Sequence, residues 1–331
     1  MKVVAIDYLD YDGNWEREQL SPLGIEFIDY HPPRGQDPRL VERAGDAEVL
    51  VVASAEVRRE ALRQLPALRL IIRLGVGVDN VDVGAATEQG VIVANMPGFC
   101  TREVAEHAAA LILACARRIC GYREAIAEGR WSRDAAEDSL LLAGKTIGVV
   151  GCGRIGGELL RLVRSWKMRR LVYDPYVSDA RVRRLGAIRT SFEELLAASD
   201  VVSIHAPLTE ETRGMFNREA FHRLKDGAIL VNTARGAIVD EAALMEALDS
   251  GKLACAGLDV FEKEPLPPDS PLFRHPRVIV TPHVAWHSKR SEMRQRSWVV
   301  EDVRRYAAGR RPQHVVNPEV FRRLRTTGAR G

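Results

Sequence analysis

The chain has 331 residues and a mass of 36.8 kDa, which is enough for two domains that each bury a core. A hydrophobic content of 46%, a charged content of 28% and a net charge of +3 are those of an ordinary globular protein and do not indicate nucleic-acid binding. Five scattered cysteines form no C-x-x-C pair, so neither a zinc site nor a disulfide framework is indicated. The N-terminal run MKVVAIDYL lacks the pattern of a signal peptide, and no stretch approaches the ~18 apolar residues of a membrane span. We therefore expect a chain in the reducing cytoplasm that binds neither nucleic acid nor a membrane.

The first part of the chain alternates short apolar runs with helical patterns. Most of these runs are continuously apolar, as parallel strands covered on both faces are. The predicted strands are residues 2–7, 25–29, 48–53, 68–73 and 91–95. A long helical stretch follows at residues 101–118, with Thr101 as its expected N-cap.

The same alternation returns from residue 146 onward, with predicted strands at 146–150, 171–174, 200–205, 228–232, 254–260 and 278–282. Two such sets predict two α/β sheets. The last long helical pattern, at residues 288–308, has no sheet of its own to cover. We expect it to return to the first sheet, so that the second domain is inserted into the first.

A glycine motif directly follows the strand at 146–150. Gly151, Gly153 and Gly156 form G-x-G-x-x-G, and the helix that begins at Arg154 offers its free N–H groups to phosphates. Asp174 ends the next strand, where a carboxylate accepts the adenosine-ribose hydroxyls of a dinucleotide. Its charge repels a 2′-phosphate, so NAD is favoured over NADP. The alternatives are a structural glycine turn and a surface acid.

Three loops after later strands carry charged side chains that fit acid–base chemistry. Arg235 lies in NTARG, Asp259 and Glu264 lie in LDVFEKEP, and His283 lies in TPHVAW. Taken singly, each is more often a solvated or structural residue. Ligands bind outside the carboxyl ends of strands in open α/β sheets, so these loops are expected to converge on the cofactor.

The order of these motifs is similar to that of the NAD-dependent D-2-hydroxyacid dehydrogenases. The runs RLGVGVDNVD (73–82) and PGFCTREVAEHAAALIL (97–113) also resemble that family, and the match covers nearly the whole chain. The resemblance implies two Rossmann/flavodoxin-like parallel-sheet α/β domains, with an NAD-binding domain (97–285) inserted into a discontinuous substrate domain (1–96 and 286–318). Residues 319–331 lie outside it and are expected to form a flexible tail. A homodimer through the cofactor domains is also implied.

The resemblance further implies reversible reduction of a 2-oxo acid to a D-2-hydroxy acid. Arg235 would bind the substrate and polarise its carbonyl, and His283 would be the general acid or base, oriented by Glu264. A cation and a proton donor both stabilise the oxyanion that hydride delivery creates. Backbone N–H groups of Val76 and Gly77 would hold the substrate carboxylate. The remaining implied cofactor contacts are Thr101, Arg154, Ile155, Pro207, Thr233 and Asp259.

Two details narrow the branch of the family. Glu264 stands where the formate dehydrogenases have a glutamine, which argues against formate as the substrate. Trp286 and Arg73 resemble residues of the C-terminal-binding-protein group, in which they contact the substrate side chain and the carboxylate. If both line the site, we expect a 2-oxo acid with an apolar or thioether side chain; the alternatives are a core aromatic and a surface ion pair. That group also supplies the alternative function, an NAD(H)-sensing corepressor-like interaction protein.

Overall fold

The computed structural model describes residues 1–8, 12–32, 39–135 and 139–326. The chain divides into two compact units: unit 1 comprises Met1–Phe99 and Ser288–Gly331, and unit 2 comprises Cys100–His287. Each unit contains one parallel β-sheet. The predicted fold class, two parallel-sheet α/β domains, is confirmed.

Unit 1 is built on a five-stranded sheet in the order β2-β1-β3-β4-β5. Each strand lies within the run predicted for it and loses one or two residues at its ends, where the chain already turns into a loop. The strands are β1 (Lys2–Ala5), β2 (Glu26–Asp29), β3 (Val49–Val52), β4 (Leu70–Arg73) and β5 (Ile92–Ala94), and the helices between them are α1 (Asn14–Leu20), α2 (Leu40–Ala44), α3 (Arg59–Arg63) and α4 (Val83–Gln89).

Unit 2 begins with α5 (Thr101–Ala116), whose apolar face packs on two strands of the second sheet. The predicted Thr101 cap is wrong by one residue. Cys100 is the N-cap, and its carbonyl accepts the first helical hydrogen bond from Val104 N at 3.0 Å. Thr101 is therefore the first residue inside the helix, because the chain has already turned at Gly98 (φ 97°).

The second sheet has seven strands in the order β12-β11-β10-β9-β6-β7-β8. The strand order reverses between β6 and β9, and open α/β sheets bind ligands at the carboxyl ends of the strands at such a point. The elements are α6 (Ile119–Ala127), β6 (Thr146–Val150), α7 (Arg154–Leu162), β7 (Arg169–Tyr173), α8 (Asp179–Arg184), β8 (Ile188–Arg189), α9 (Phe192–Ala198), β9 (Val201–Ile204), α10 (Arg218–Arg223), β10 (Ala228–Asn232), α11 (Glu241–Asp249), β11 (Leu253–Leu258) and β12 (Val278–Val280). Among these strands, β8 alone was not predicted, because its two exposed residues form no apolar run.

The chain then returns to unit 1 through α12 (Lys289–Ala307), which begins at a Ser288–Ser291 capping box and packs on α1. After α12 the chain runs beside β5, where Val316 N donates to Val93 O at 2.7 Å. The helical pattern at residues 288–308, which has no sheet of its own to cover, predicted this return to the first sheet. Among the described residues, no helix is both long and apolar enough to span a membrane.

The predicted flexible tail at 319–331 needs a correction. Its first part forms α13 (Val320–Thr326), and the side chain of Val320 is fully buried. The Arg311 guanidinium lies 4.0 Å from the centre of the Phe321 ring, a cation–π contact that composition does not reveal. Residues 327–331 lie outside the described part of the chain.

A buried ion pair joins the two chain segments of unit 1. The Glu16 carboxylate of α1 accepts two hydrogen bonds from Arg296 of α12, at 2.6 and 2.7 Å, and a third from the Tyr8 hydroxyl at 2.7 Å. Glu16 is fully buried and the Arg296 side chain is 15% exposed. The hydrogen bonds that Arg296 donates to Glu16 raise the pKa of Arg296 despite its burial.

We predict that Arg296→Met lowers the free energy of unfolding by about 3 kcal/mol, because it leaves a buried carboxylate without its cation. The double variant Glu16→Gln/Arg296→Met removes both charges and keeps an acceptor for Tyr8. Its free energy of unfolding should therefore fall by less. Urea unfolding followed by circular dichroism measures both. Equal losses in the single and double variants would contradict this account.

Candidate active site

The glycine turn after β6 is packed so closely that two of its glycines admit no side chain. A Cβ on Gly151, whose φ is 90°, would lie 2.5 Å from Ala206 N, and a Cβ on Gly156 would lie 2.1 Å from Gly151 O. Both distances are far inside van der Waals contact. The turn therefore depends on glycine for its tight bend and for the packing of α7 against the sheet.

The middle glycine has a different environment. A Cβ on Gly153 would meet no described heavy atom within 4 Å, and Gly153 and Arg154 are exposed at the start of α7. The first helical hydrogen bond runs from Gly157 N to Gly153 O at 3.2 Å. Helix geometry thus leaves the N–H groups of Arg154, Ile155 and Gly156 for a ligand. An open surface lined by such N–H groups fits a pyrophosphate.

Asp174 at the end of β7 holds the glycine turn in place. Its Oδ2 accepts from Cys152 N at 2.7 Å, and its Oδ1 accepts from Tyr176 N at 2.9 Å. A carboxylate has about four acceptor directions, so Asp174 retains capacity for ribose hydroxyls. Arg181, which the sequence analysis did not single out, donates to Cys152 O at 3.2 Å and to Gly153 O at 2.9 Å. The glycine turn is therefore held by the carboxylate of Asp174 and by the guanidinium of Arg181.

Two further predicted cofactor residues lie at the ends of β9 and β10. Pro207 follows Ala206, which borders the glycine turn, and its carbonyl accepts from Thr212 Oγ1 at 2.7 Å. Thr233 follows β10, and its Oγ1 is buried without a hydrogen-bond partner among the described residues. A buried hydroxyl without a hydrogen-bond partner costs free energy. An amide or hydroxyl of a bound cofactor would supply that partner.

The structure brings two of the three predicted acid–base residues, His283 and Glu264, into direct contact. His283 Nδ1 lies 2.5 Å from Glu264 Oε2, and Glu264 Oε1 accepts from Phe261 N at 3.0 Å. Burial raises the pKa of Glu264, but the hydrogen bond and charge of His283, the Phe261 N–H and the charge of Arg235 outweigh burial. The net pKa lies below the ordinary 4.5, so Glu264 is a carboxylate at neutral pH.

His283 adopts a backbone conformation that is unusual for a residue with a side chain. Its φ is 54°, and its N–H donates to Asp259 O at 2.9 Å and to Thr281 O at 3.0 Å. The indole N–H of Trp286 donates to His283 O at 3.1 Å. A left-handed conformation costs free energy and persists where surrounding contacts determine it.

The buried carboxylate of Asp259 provides those contacts. Oδ1 accepts from Val284 N at 2.9 Å and from Thr281 Oγ1 at 2.6 Å, and Oδ2 accepts from Ala285 N at 2.9 Å. Asp259 was expected along the cofactor. In the structure it binds the loop of His283 with both oxygens, and its contact with a cofactor stays a prediction.

The remaining predicted residues belong to unit 1, apart from Thr101 at the start of α5. Arg73 ends β4 and donates to Leu74 O at 3.2 Å. A Cβ on Gly75 would lie 1.5 Å from Arg73 Nη1, so a side chain at this position would displace the guanidinium from its present position. Val76 is 41% exposed and its carbonyl accepts from Asn95 Nδ2 at 2.6 Å. The substrate contacts expected of Arg73, Val76 and Gly77 stay predictions.

Residues 109–285 match the family described as "D-isomer specific 2-hydroxyacid dehydrogenase, NAD binding domain". The match covers the glycine turn and the loops that carry Arg235, Glu264 and His283. It begins within α5 and ends within the His283 loop, and so lies within unit 2. Unit 2 is thus similar to an NAD-binding domain over almost all of its length.

Two curated relatives and one solved structure extend the similarity to unit 1. D-3-phosphoglycerate dehydrogenase of Archaeoglobus fulgidus is 41% identical over 90% of this chain, but the chain spans only 58% of that relative's length. Glyoxylate reductase of Korarchaeum cryptofilum is 40% identical, with 86% of each chain covered. D-lactate dehydrogenase of Aquifex aeolicus, solved with NAD and lactic acid, is 30% identical with a TM-score of 0.82, and the alignment covers 92% of this chain and 96% of that one.

We predict that Asp174→Ala weakens NAD binding by about 10- to 100-fold, because it removes a charged acceptor of ribose hydroxyls and also frees Cys152 N. Asp174→Asn retains one acceptor oxygen for Cys152 N but loses the charge and the second acceptor oxygen, so it should narrow the difference between the affinities for NAD and NADP. Calorimetric titration of both cofactors tests this. Unchanged affinities for NAD and NADP in Asp174→Ala would overturn the assignment.

Proposed function

This chain belongs to the D-isomer specific 2-hydroxyacid dehydrogenase family, and we propose that it catalyses the reversible, NAD(H)-dependent reduction of a 2-oxo acid to a D-2-hydroxy acid. The observation that carries the proposal is the 2.5 Å contact between His283 Nδ1 and Glu264 Oε2, with Arg235 close enough to lower the pKa of the same carboxyl. These residues belong to the unit that also contains the glycine turn and Asp174.

The nicotinamide cofactor, when bound, supplies or accepts the hydride. Negative charge then develops on the carbonyl oxygen of the 2-oxo acid, and the Arg235 guanidinium stabilises it. Because Nδ1 of His283 faces Glu264, Nε2 is the ring atom that delivers a proton to that oxygen. In the direction of oxidation the same Nε2 accepts the hydroxyl proton. Glu264 remains ionised in both directions, orients the ring and stabilises its protonated form.

The substrate class that we propose is a small 2-oxo acid. Backbone N–H groups of Val76 and Gly77, together with Arg73, would bind its carboxylate, and Trp286 would favour an apolar or thioether side chain. The names of the relatives, a phosphoglycerate dehydrogenase and a glyoxylate reductase, support the 2-hydroxy acid chemistry but differ in side chain. We also propose the reducing cytoplasm as the compartment, because the cysteine spacing does not indicate a disulfide framework.

We predict that the native protein oxidises NADH with 2-oxo acids and that His283→Ala lowers kcat by about 100- to 10 000-fold, because the proton donor is lost. A panel that runs from glyoxylate to larger apolar and thioether 2-oxo acids measures the preference. A clear preference for glyoxylate would contradict the proposed role of Trp286. Tight NADH binding without turnover across the panel would instead favour the corepressor-like alternative.

Glu264→Gln is the matched control for charge, because glutamine retains a hydrogen-bond partner for His283. Loss of the carboxylate disfavours the protonated ring that reduction requires. Because a charge-assisted hydrogen bond is lost, reductive kcat/KM should fall by about 10-fold in Glu264→Gln. On the acid side, the lowered pKa of Glu264 keeps the native carboxylate ionised below pH 4.5. An unchanged reductive kcat/KM in Glu264→Gln would exclude this role.

We also propose a homodimer that forms through unit 2. Large exposed apolar side chains are concentrated in residues 113–141 of that unit, and Trp131 is 91% exposed. An exposed apolar surface of this kind is typical of an interface. The exposed members of the segment are Leu113, Ile119, Ile126, Trp131 and Leu141.

We predict that the native chain sediments as a dimer and that Trp131→Glu shifts it toward the monomer, because a charge cannot be buried in an apolar interface. Phe273→Glu is the control, since Phe273 is also exposed on unit 2 but lies outside this segment. Sedimentation equilibrium measures both variants. A native protein that is monomeric at all concentrations would refute the proposal.

A further inference from the structure

We propose that Thr281 and His107 are positioning residues for His283, and that they act through the buried carboxylate of Asp259. This inference rests on the proposed function, in which His283 transfers the proton. His107 lies on α5, far from the TPHVAW loop in the sequence. Neither His107 nor Thr281 would contact the reacting atoms.

Three side chains form a continuous hydrogen-bonded series. His107 Nε2 lies 3.0 Å from Thr281 Oγ1, which lies 2.6 Å from Asp259 Oδ1. A hydroxyl has one proton, and the buried carboxylate is the stronger acceptor. Thr281 therefore donates to Asp259 and accepts from His107, which places the proton of a neutral His107 on Nε2.

This series fixes both sides of the His283 loop to one carboxylate. On the N-terminal side, Asp259 holds the Thr281 hydroxyl. On the C-terminal side, it holds the N–H groups of Val284 and Ala285. His283 lies between these anchors, and its own N–H donates to the Asp259 carbonyl. The loop cannot shift without breaking hydrogen bonds to a group that is only 1% exposed.

The anchoring explains how His283 keeps a φ of 54°. A side-chain-bearing residue leaves the left-handed region when its neighbours allow it. Without the Thr281 anchor, relaxation of this φ would turn the ring away from Glu264, which it now contacts at 2.5 Å. The hydrogen bonds of His107 on α5 and of Asp259 after β11 thus fix the orientation of the His283 imidazole.

The test compares Thr281→Val, which keeps the shape and loses the hydroxyl, with Thr281→Ser, which keeps the hydroxyl. Thr281→Val should lower kcat by about 10- to 100-fold, the scale expected when a reacting group is misplaced by about 1 Å, and leave the Kd for NADH within about twofold of the native value. Thr281→Ser should keep kcat within about threefold. Thr190→Val is the control, because the Thr190 hydroxyl is also buried but has no partner among the described residues.

A double-variant cycle tests whether His107 belongs to the same network. His107→Leu should also lower kcat, and Thr281→Val/His107→Leu should lose no more than about threefold beyond the larger single effect, because the two residues act as one unit. Fully additive losses would overturn the role of His107. Equal losses of kcat in Thr281→Val and Thr281→Ser, or native kcat in Thr281→Val, would overturn the role of Thr281.

One measurement does not depend on turnover. The NMR signal of the hydrogen-bonded Nδ1 proton of His283 should be present in the native protein and in Thr281→Ser, and lost or shifted in Thr281→Val. A native protein without turnover on any 2-oxo acid would contradict the proposed function, but the NMR comparison would still test the positioning role. An unchanged signal in Thr281→Val would defeat the positioning role itself.

Discussion

Parallel sheets leave the backbone N–H groups of their C-terminal loops without strand partners, and these groups must be satisfied. In this chain aspartates at the strand ends satisfy them. Asp7 after β1 accepts from the backbone of residues 53–55, Asp174 after β7 accepts from the glycine turn, and Asp259 after β11 accepts from residues 284–285. In unit 2, the glycine turn and the His283 loop are thus each tied to a carboxylate at a strand end, whereas the side-chain amide of Asn232 holds the Arg235 loop.

The two carboxylates that follow β11, Asp259 and Glu264, have different contacts. Asp259 is buried and its oxygens are occupied by the loop, whereas Glu264 directs one oxygen to backbone and the other to His283. The charges around Glu264 outweigh its burial and lower its pKa. In the proposed mechanism, two acids that follow the same strand therefore have different roles: Asp259 fixes the position of the imidazole, and Glu264 orients it.

Much of the fold was predictable because its signal is local. Runs such as 228–232 are apolar throughout, and the corresponding strand β10 has the predicted bounds. The return of α12 to unit 1 was expected because this helix follows the last strand of the second set and has no sheet of its own to cover. Strand β8 and helix α13 were not predicted, because two exposed residues and an arginine-rich segment have no apolar periodicity. The Thr101 cap was wrong by one residue because turn geometry decides where a helix begins.

The sequence by itself determined which chemical groups are present and roughly where: a glycine turn with its acid, and Arg235, Glu264 and His283 at strand ends. Spacing along the chain carries that information because parallel strands present their ends at one edge. Only the tertiary structure decided that Asp174 and Arg181 hold the turn together, and that His107 contacts Thr281 from α5. These contacts join residues remote in sequence, and hydrogen bonds depend on distances and angles that only the packed chain sets.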